Sequence, residues 1–256
     1  MTYYILLGAL VTVLHQFAYS HFNEKARWAL DFKNVSHQRQ TYLPGPHMPA
    51  IKKISGQTQT PVLERDGEYV AGSAAIIDLL EREYATPALY PQDTDARNQA
   101  LALQAEFDQD LGPATRTVIF SALVEEGGYL CRMFAGSKGL LQRTAYRVTF
   151  PLARGLIAKR NGVTTPGNIE RCIATTFAML DRVAEQTSAT GYLVGEQFSV
   201  ADLTAAALLA PVASVDHPDM KRPQPLPQRV TDVVSQFTDH PGVAWVNEIY
   251  RRHRGA

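Results

Sequence analysis

The chain has 256 residues, enough to bury one large core or two modest ones. Its 25 Lys plus Arg balance 25 Asp plus Glu, and hydrophobic residues make up 45%. That composition is ordinary for a globular protein, and its zero net charge gives no bulk attraction to nucleic acid or to an anionic membrane.

The stretch Met1 to Phe17 is strongly apolar. It lacks the positive start and small-residue cleavage site of a secretory leader, and it falls short of the roughly 20 residues that a membrane helix needs. Within it, the β-branched run Leu10 to His15 predicts a buried strand, which leaves 1–9 as an apolar leader with no assigned role. From about Ser20 the spacing of Phe22, Ala26, Ala29, Leu30 and Lys33 predicts a helix. Arg39 to Leu43 reads as a second strand, broken by Pro44-Gly45-Pro46-His47. A short helix is predicted over Pro49 to Ile54. Pro61-Val62-Leu63 and Tyr69-Val70 flank Asp66-Gly67, a hairpin signal. Ser73 to Tyr84 then predicts a helix with Ile76, Ile77, Leu80 and Tyr84 on its apolar face. The order β-α-β-α-β-β-α implies a right-handed parallel crossover with an antiparallel hairpin added.

Prolines and aspartates interrupt the pattern over Thr86 to Thr94, as a linker would. The predicted organisation is therefore 1–85, a linker at 86–94, and 95–256. Beyond the linker the long patterns Arg97 to Val124, Asn168 to Glu185 and Ser199 to Leu209 are helical, and none reads as a strand. Ser199-Val-Ala-Asp202 has the form of a capping box, with Phe198 and Leu203 placed as a hydrophobic staple. Pro211 to Pro227 reads as a proline-rich loop, and a last helix follows Asp239-His-Pro-Gly. The basic run Arg251, Arg252, His253, Arg254 is expected to be a solvated helix end that complements the helix dipole. Cys131 and Cys172 make neither a CxxC pair nor a metal-ligand spacing, and are expected to be buried free thiols in a reducing cytoplasm.

Four motifs carry a resemblance. Ser20, Lys25 and Arg27, within Tyr19-Ser-His-Phe-Asn-Glu-Lys-Ala-Arg27, are spaced as a catalytic serine and two following basic residues are in serine-type glutathione transferases. Gln59-Thr60-Pro61-Val62-Leu63 resembles that family's segment with a cis proline. Gly72-Ser73 resembles the acidic-Ser pair that opens the third helix, and Gly195 to Asp202 resembles the capping motif of the helical domain. The chain thus looks like a cytosolic glutathione transferase. The resemblance implies an α/β thioredoxin-like N-terminal domain that holds glutathione, and an all-α C-terminal domain that shapes a pocket for a hydrophobic electrophile. Two positions depart from the family: His21 stands where Pro often follows the serine, and Gly72 replaces the acidic residue that helps hold the glutathione amino group.

The residues suit that chemistry. A thiol of pKa near 8.5 is only a few per cent thiolate at neutral pH, so a transferase must stabilise sulfur as an anion. Ser20, at the first turn of a helix, can donate to that sulfur where the helix dipole also favours negative charge. The plainer reading of Ser20 is an N-cap; Tyr19 is a rival donor. The resemblance gives the Thr60 backbone to glutathione as an added strand beside a cis Pro61, with Gln59 adjoining. It gives Ser73 and the helix start at Gly72 to the γ-glutamyl carboxylate, and His47 and Lys53 to the glycine carboxylate. Phe17, Tyr129, Met133 and Tyr146 are candidates for the second-substrate pocket. The expected co-substrate is glutathione with no metal, in a cytoplasmic homodimer that binds neither nucleic acid nor membrane. Two rival readings stand beside it. One is a non-catalytic binding module of the same fold. The other, a thiol reductase, would need Cys where Ser20 stands.

Overall fold

The computed structural model describes residues 12–255; the apolar leader 1–9 and the first residues of the strand expected from Leu10 lie outside them. Strand β1 (Thr12–Gln16) leads through a short loop into α1 (His21–Phe32), and β2 (Gln38–Thr41) returns parallel to β1. After α2 (Met48–Ser55) the hairpin β3 (Val62–Arg65) and β4 (Glu68–Ala71) turns at Asp66 and Gly67, both with positive φ. Helix α3 (Ser73–Glu83) follows. The sheet order is β2-β1-β3-β4, with β3 antiparallel to both neighbours, as the order of predicted elements implies.

Side chains alternate across a strand. Leu14 and Leu63 stand opposite each other in register, and both are buried in one core with Ala26, Ala29 and Leu30 of α1 and Ile76, Ile77 and Leu80 of α3. The next position turns His15 away from that core. There its ring meets Glu64 Oε2 and the Tyr42 hydroxyl, each at 2.9 Å.

The rest is helical among the described residues. Asp93 caps α4 (Thr94–Glu106) by accepting from the Ala96 amide at 2.9 Å. A π-helical turn, Phe107–Leu111, joins α4 to α5 (Gly112–Leu123). Pro113 has no N–H for the carbonyl four residues back, and such a widened turn accommodates the loss. Next come α6 (Gly127–Ala135), α7 (Leu140–Arg160), α8 (Asn168–Thr187), α9 (Val200–Ala213), α10 (Gln228–Ser235) and α11 (Pro241–His253). Every residue of α9 is buried, and it packs against α1, α4, α5 and α11. The predicted capping box forms: Asp202 accepts from the Ser199 amide at 2.9 Å, and also from the Leu193 amide at 2.7 Å. Burial raises the Asp202 carboxyl to about 6 despite these donors.

Several expectations change. Pro211 lies inside α9 rather than opening a loop, because the buried helix continues past its missing N–H to Ala213. Helices α6, α7 and α10 were not anticipated as elements. The basic run is only partly solvated. Arg251 and Arg252 pair with Glu248 on the surface, but Arg254 is buried and donates to Glu24 at 2.7 Å, Asp219 at 2.8 Å and Asp31 at 2.9 Å. Trp28 sits beside that cluster, its indole donating to the His253 carbonyl at 3.1 Å and its ring against Tyr250. Glu24, His217 and Asp219 place ligand atoms within 4.8 Å of one another, yet both carboxylates already face guanidiniums, which opposes a cation there.

Candidate active site at the domain junction

Antiparallel pairing of β1 with β3 brings the end of β1 beside the start of β3. The loop after β1 carries Ser20; the segment before β3 carries Gln59, Thr60 and Pro61. Asn23 on α1 donates to the Thr60 hydroxyl at 3.2 Å, tying the two together. The Thr60–Pro61 bond is cis. The Gly72 amide donates to the Pro61 carbonyl at 2.9 Å, which sets the start of α3, with Ser73 buried at its first position, against the same segment. Ser20, Thr60-Pro61 and Gly72-Ser73 thus converge at one end of the sheet.

Ser20 is half-buried, and its carbonyl accepts from the Glu24 amide at 2.8 Å, opening α1. It holds the N-cap position with extended backbone, but its hydroxyl caps no amide of the helix. The loop is fixed from below: the Arg27 guanidinium donates to the Gln16 side chain at 2.8 Å, the Phe17 carbonyl at 3.2 Å and the Ser20 carbonyl at 3.4 Å. Arg27 is itself held by Glu24 at 2.8 Å. Lys25, the other basic residue of the motif, is buried on Asp108 of the π-helical turn at 2.6 Å, and burial brings it down to about 8. Tyr19, at φ 58, puts its ring against apolar neighbours, and burial pushes its phenol up.

His21 explains its own departure from the family pattern. It is buried and donates Nε2–H to the Gly112 carbonyl at 2.8 Å, fastening the start of α1 to the helical half. Burial, then the charge of Arg116, lowers it to about 3, so it is neutral at physiological pH. Gly72 has φ 97 at the N-cap of α3, a conformation that glycine adopts without strain.

His47 is engaged with its own loop. Its Nδ1 accepts from the Gly45 amide at 3.0 Å, and its Nε2 donates to the Thr58 carbonyl at 2.9 Å. Both ring nitrogens brace the loop between β2 and β3. Lys53 is exposed on the last turn of α2. A cation that the sequence did not point to, Arg160 of α7, reaches the Thr58 hydroxyl at 3.3 Å and lies against Met48.

All four pocket candidates fall in one apolar cluster. Tyr129, Met133 and Tyr146 are buried there with Ile119, Leu123 and Phe150, and Phe17 and Tyr19 pack against it from the sheet side. Helix α7 arches over this junction: Tyr146 donates to the Pro44 carbonyl at 3.1 Å, while Lys138, just before α7, donates to the Thr41 carbonyl at 2.7 Å. A residue that sequence reasoning did not single out, Arg116 of α5, bears on His21 through its charge, and its Nε is buried without a partner; a lone arginine in a helical pattern carries no signal of its own.

Comparison with known proteins fits this geometry. Residues 14–88 match the family described as glutathione S-transferase, N-terminal domain, and residues 156–247 match glutathione S-transferase, C-terminal domain. Over 113 residues the chain is 33% identical to a maleylpyruvate isomerase from Ralstonia sp., covering 43% of this chain and 53% of that one; the chain thus spans about half the length of that curated relative. Among solved structures, β-etherase LigF from Sphingobium sp. strain SYK-6 is similar with a TM-score of 0.67 at 21% identity, covering 94% of this chain and 96% of that one. A glutathione S-transferase from Methylobacillus flagellatus, solved with glutathione bound, gives a TM-score of 0.60 at 17% identity, covering 94% and 95%. Likenesses of such low identity speak for the fold alone. The two domain matches, in order along a chain whose sheet and helices have this arrangement, show that it belongs to the glutathione S-transferase superfamily.

Proposed function

We propose that this protein is a glutathione-dependent enzyme in which the Ser20 hydroxyl donates to the glutathione sulfur and holds it as thiolate for attack on an electrophile. The observation that carries this reading is the Ser20 hydroxyl itself. It stands at the N-terminus of α1, caps no amide of that helix, and lies in a loop braced by Arg27 beside Thr60-Pro61 and Ser73. A hydroxyl donor and the positive end of a helix both favour sulfur as an anion. A downward shift of about two pKa units, worth about 1.4 kcal/mol each, makes most of the bound thiol reactive at neutral pH. Glutathione lies along Thr60 and Gln59, with its γ-glutamyl carboxylate at Gly72-Ser73 and its glycine end towards His47, Lys53 and Arg160. The electrophile lies against Phe17, Tyr129, Met133 and Tyr146. The same activated thiol serves conjugation, isomerisation, dehalogenation or ether cleavage, and the likeness to an isomerase supports keeping that range open. The protein works in the cytoplasm as a homodimer, in two domains joined at 86–94.

The test is calorimetric binding of glutathione to wild type and to Ser20→Ala, with the ultraviolet thiolate band recorded alongside. Wild type should bind and show the band at pH 7; Ser20→Ala should bind but lose it. Loss of one donor to a developing anion lowers turnover by about 10²–10³. Absence of binding by wild type at millimolar glutathione overturns the reading and favours a non-catalytic binding module.

A further inference from the structure

Arginine pairing is uneven in this molecule. Where α1 meets α11, Arg27, Arg39 and Arg254 all face carboxylates. Around the apolar cluster at the domain junction, Arg116, Arg132, Arg147 and Arg222 form no ion pair among the described residues. Arg132 instead donates to the Pro225 carbonyl and lies over the Tyr129 ring, and Arg222 donates to the Pro211 carbonyl and the Ser214 hydroxyl.

Arg116 is the least satisfied of the four. Its Nε is buried without any hydrogen-bond partner. Its position follows from the helix repeat, since residues three and four apart share a face. One turn before it is Gly112, pressed so close to α1 that an added Cβ would run into the Phe22 ring and bonded through its carbonyl to His21. One turn after it are Ile119 and Phe120, which join the apolar cluster against which Phe17 and Tyr19 pack. Arg116 therefore lies on the face of α5 that runs from the start of α1 to that cluster. Its charge is felt at His21, the residue after Ser20. Arg116 is half-buried and faces no carboxylate, so the partly desolvated guanidinium gains from an arriving anion.

We propose that the second substrate is an anion, whose carboxylate pairs with the planar guanidinium fork of Arg116 while its apolar body lies on the cluster beside Ser20. The two carboxylates of glutathione do not compete for Arg116, because they are held at Ser73 and on the α2 side. The inference rests on reading the apolar cluster as the second-substrate wall, and it is independent of the role given to Ser20.

The experiment measures, by calorimetry, the binding of 3,5-dinitrobenzoate and of its uncharged methyl ester to wild type, Arg116→Met and Arg116→Lys. S-methylglutathione is kept saturating, and its own affinity is measured on each protein. Wild type should bind the acid at least about tenfold tighter than the ester, a difference of about 1.4 kcal/mol. Arg116→Met should bring the ratio towards one. Arg116→Lys should keep part of it, because a point charge replaces the fork. The inference is overturned if wild type prefers the ester, binds neither at millimolar concentration, or keeps its preference in Arg116→Met. It is also overturned if Arg116→Met weakens S-methylglutathione instead of the acid. Should Arg116→Met not fold, the wild-type ratio and Arg116→Lys decide. Failure of wild type to bind S-methylglutathione strikes the transferase reading and leaves the acid–ester comparison readable.

Discussion

Two sides of α1 treat charge in opposite ways. On the side towards α11, Glu24, Arg27, Asp219 and Arg254 form a closed network, and the guanidiniums pull the Glu24 carboxyl down to about 2 despite full burial. On the side towards α5, the guanidinium of Arg116 lies next to neutral His21 with no carboxylate for company. Buried charge is tolerated when it is compensated, so the first side is fixed architecture, whereas the half-buried Arg116 of the second is the place where the proposed anion would pair. The difference separates residues that hold the fold from those that wait for a ligand, although both are arginines on neighbouring elements.

The hardest blow to the closed side is Glu24→Gln. It removes the buried carboxylate between Arg27 and Arg254, leaving them Asp219 to share, and should cost about 3–5 kcal/mol, read from urea denaturation. A loss under about 1 kcal/mol would show that the network contributes little to stability. Gly112→Ala attacks the seam on the open side. The new Cβ runs into the Phe22 ring and should cost about 1–3 kcal/mol, with most of it recovered in Gly112→Ala/Phe22→Leu. If the double variant is no more stable than the single, the clash lies elsewhere.

Protonation sharpens the comparison further. His21 is lowered from 6.5 to about 3 in the folded protein, so the unfolded chain binds the extra proton first as the solution becomes acidic. Its contribution is full above pH 6.5 and declines as pH falls towards 3, amounting to about 1 kcal/mol lost by pH 5.5. His21→Gln keeps a donor for the Gly112 carbonyl and should flatten the stability profile between those limits; an unchanged slope would remove His21 from the account. The smallest effect belongs to the outer face of α7. Leu152 is 89% exposed, so Leu152→Gln should change stability by less than about 0.5 kcal/mol.

The sheet half was legible because its central elements obey simple periods: apolar β1 and the start of β3, one-sided helices, and a turn at Asp66-Gly67. Ser20, Pro61 and Ser73 could be placed together because three short motifs kept their order and spacing. What escaped has physical causes. Helix α7 carries apolar residues on two faces, Tyr146 and Phe150 inward and Leu141, Val148 and Leu152 outward, so no single stripe announces it; Pro151 in its middle reads as a breaker. Helix α9 has no polar face, and only its capping box revealed where it begins. The bracing of the loop by His47 was not legible because its partners, the Gly45 amide and the Thr58 carbonyl, are backbone groups that a sequence does not display. Arg254 looked solvated because its carboxylates lie 35 to 230 residues away along the chain.

That last separation bears on how the molecule is made. Glu24 leaves the ribosome 230 residues ahead of Arg254, and Trp28 emerges 225 ahead of the His253 carbonyl that receives its indole proton. At about 5–20 residues per second, the nascent first domain waits roughly ten seconds or more with its most buried acid lacking half of its counter-charge. The order of synthesis therefore cannot be the order of completion, and the sheet domain acquires its final stability only after the last helix has been translated and has docked against it.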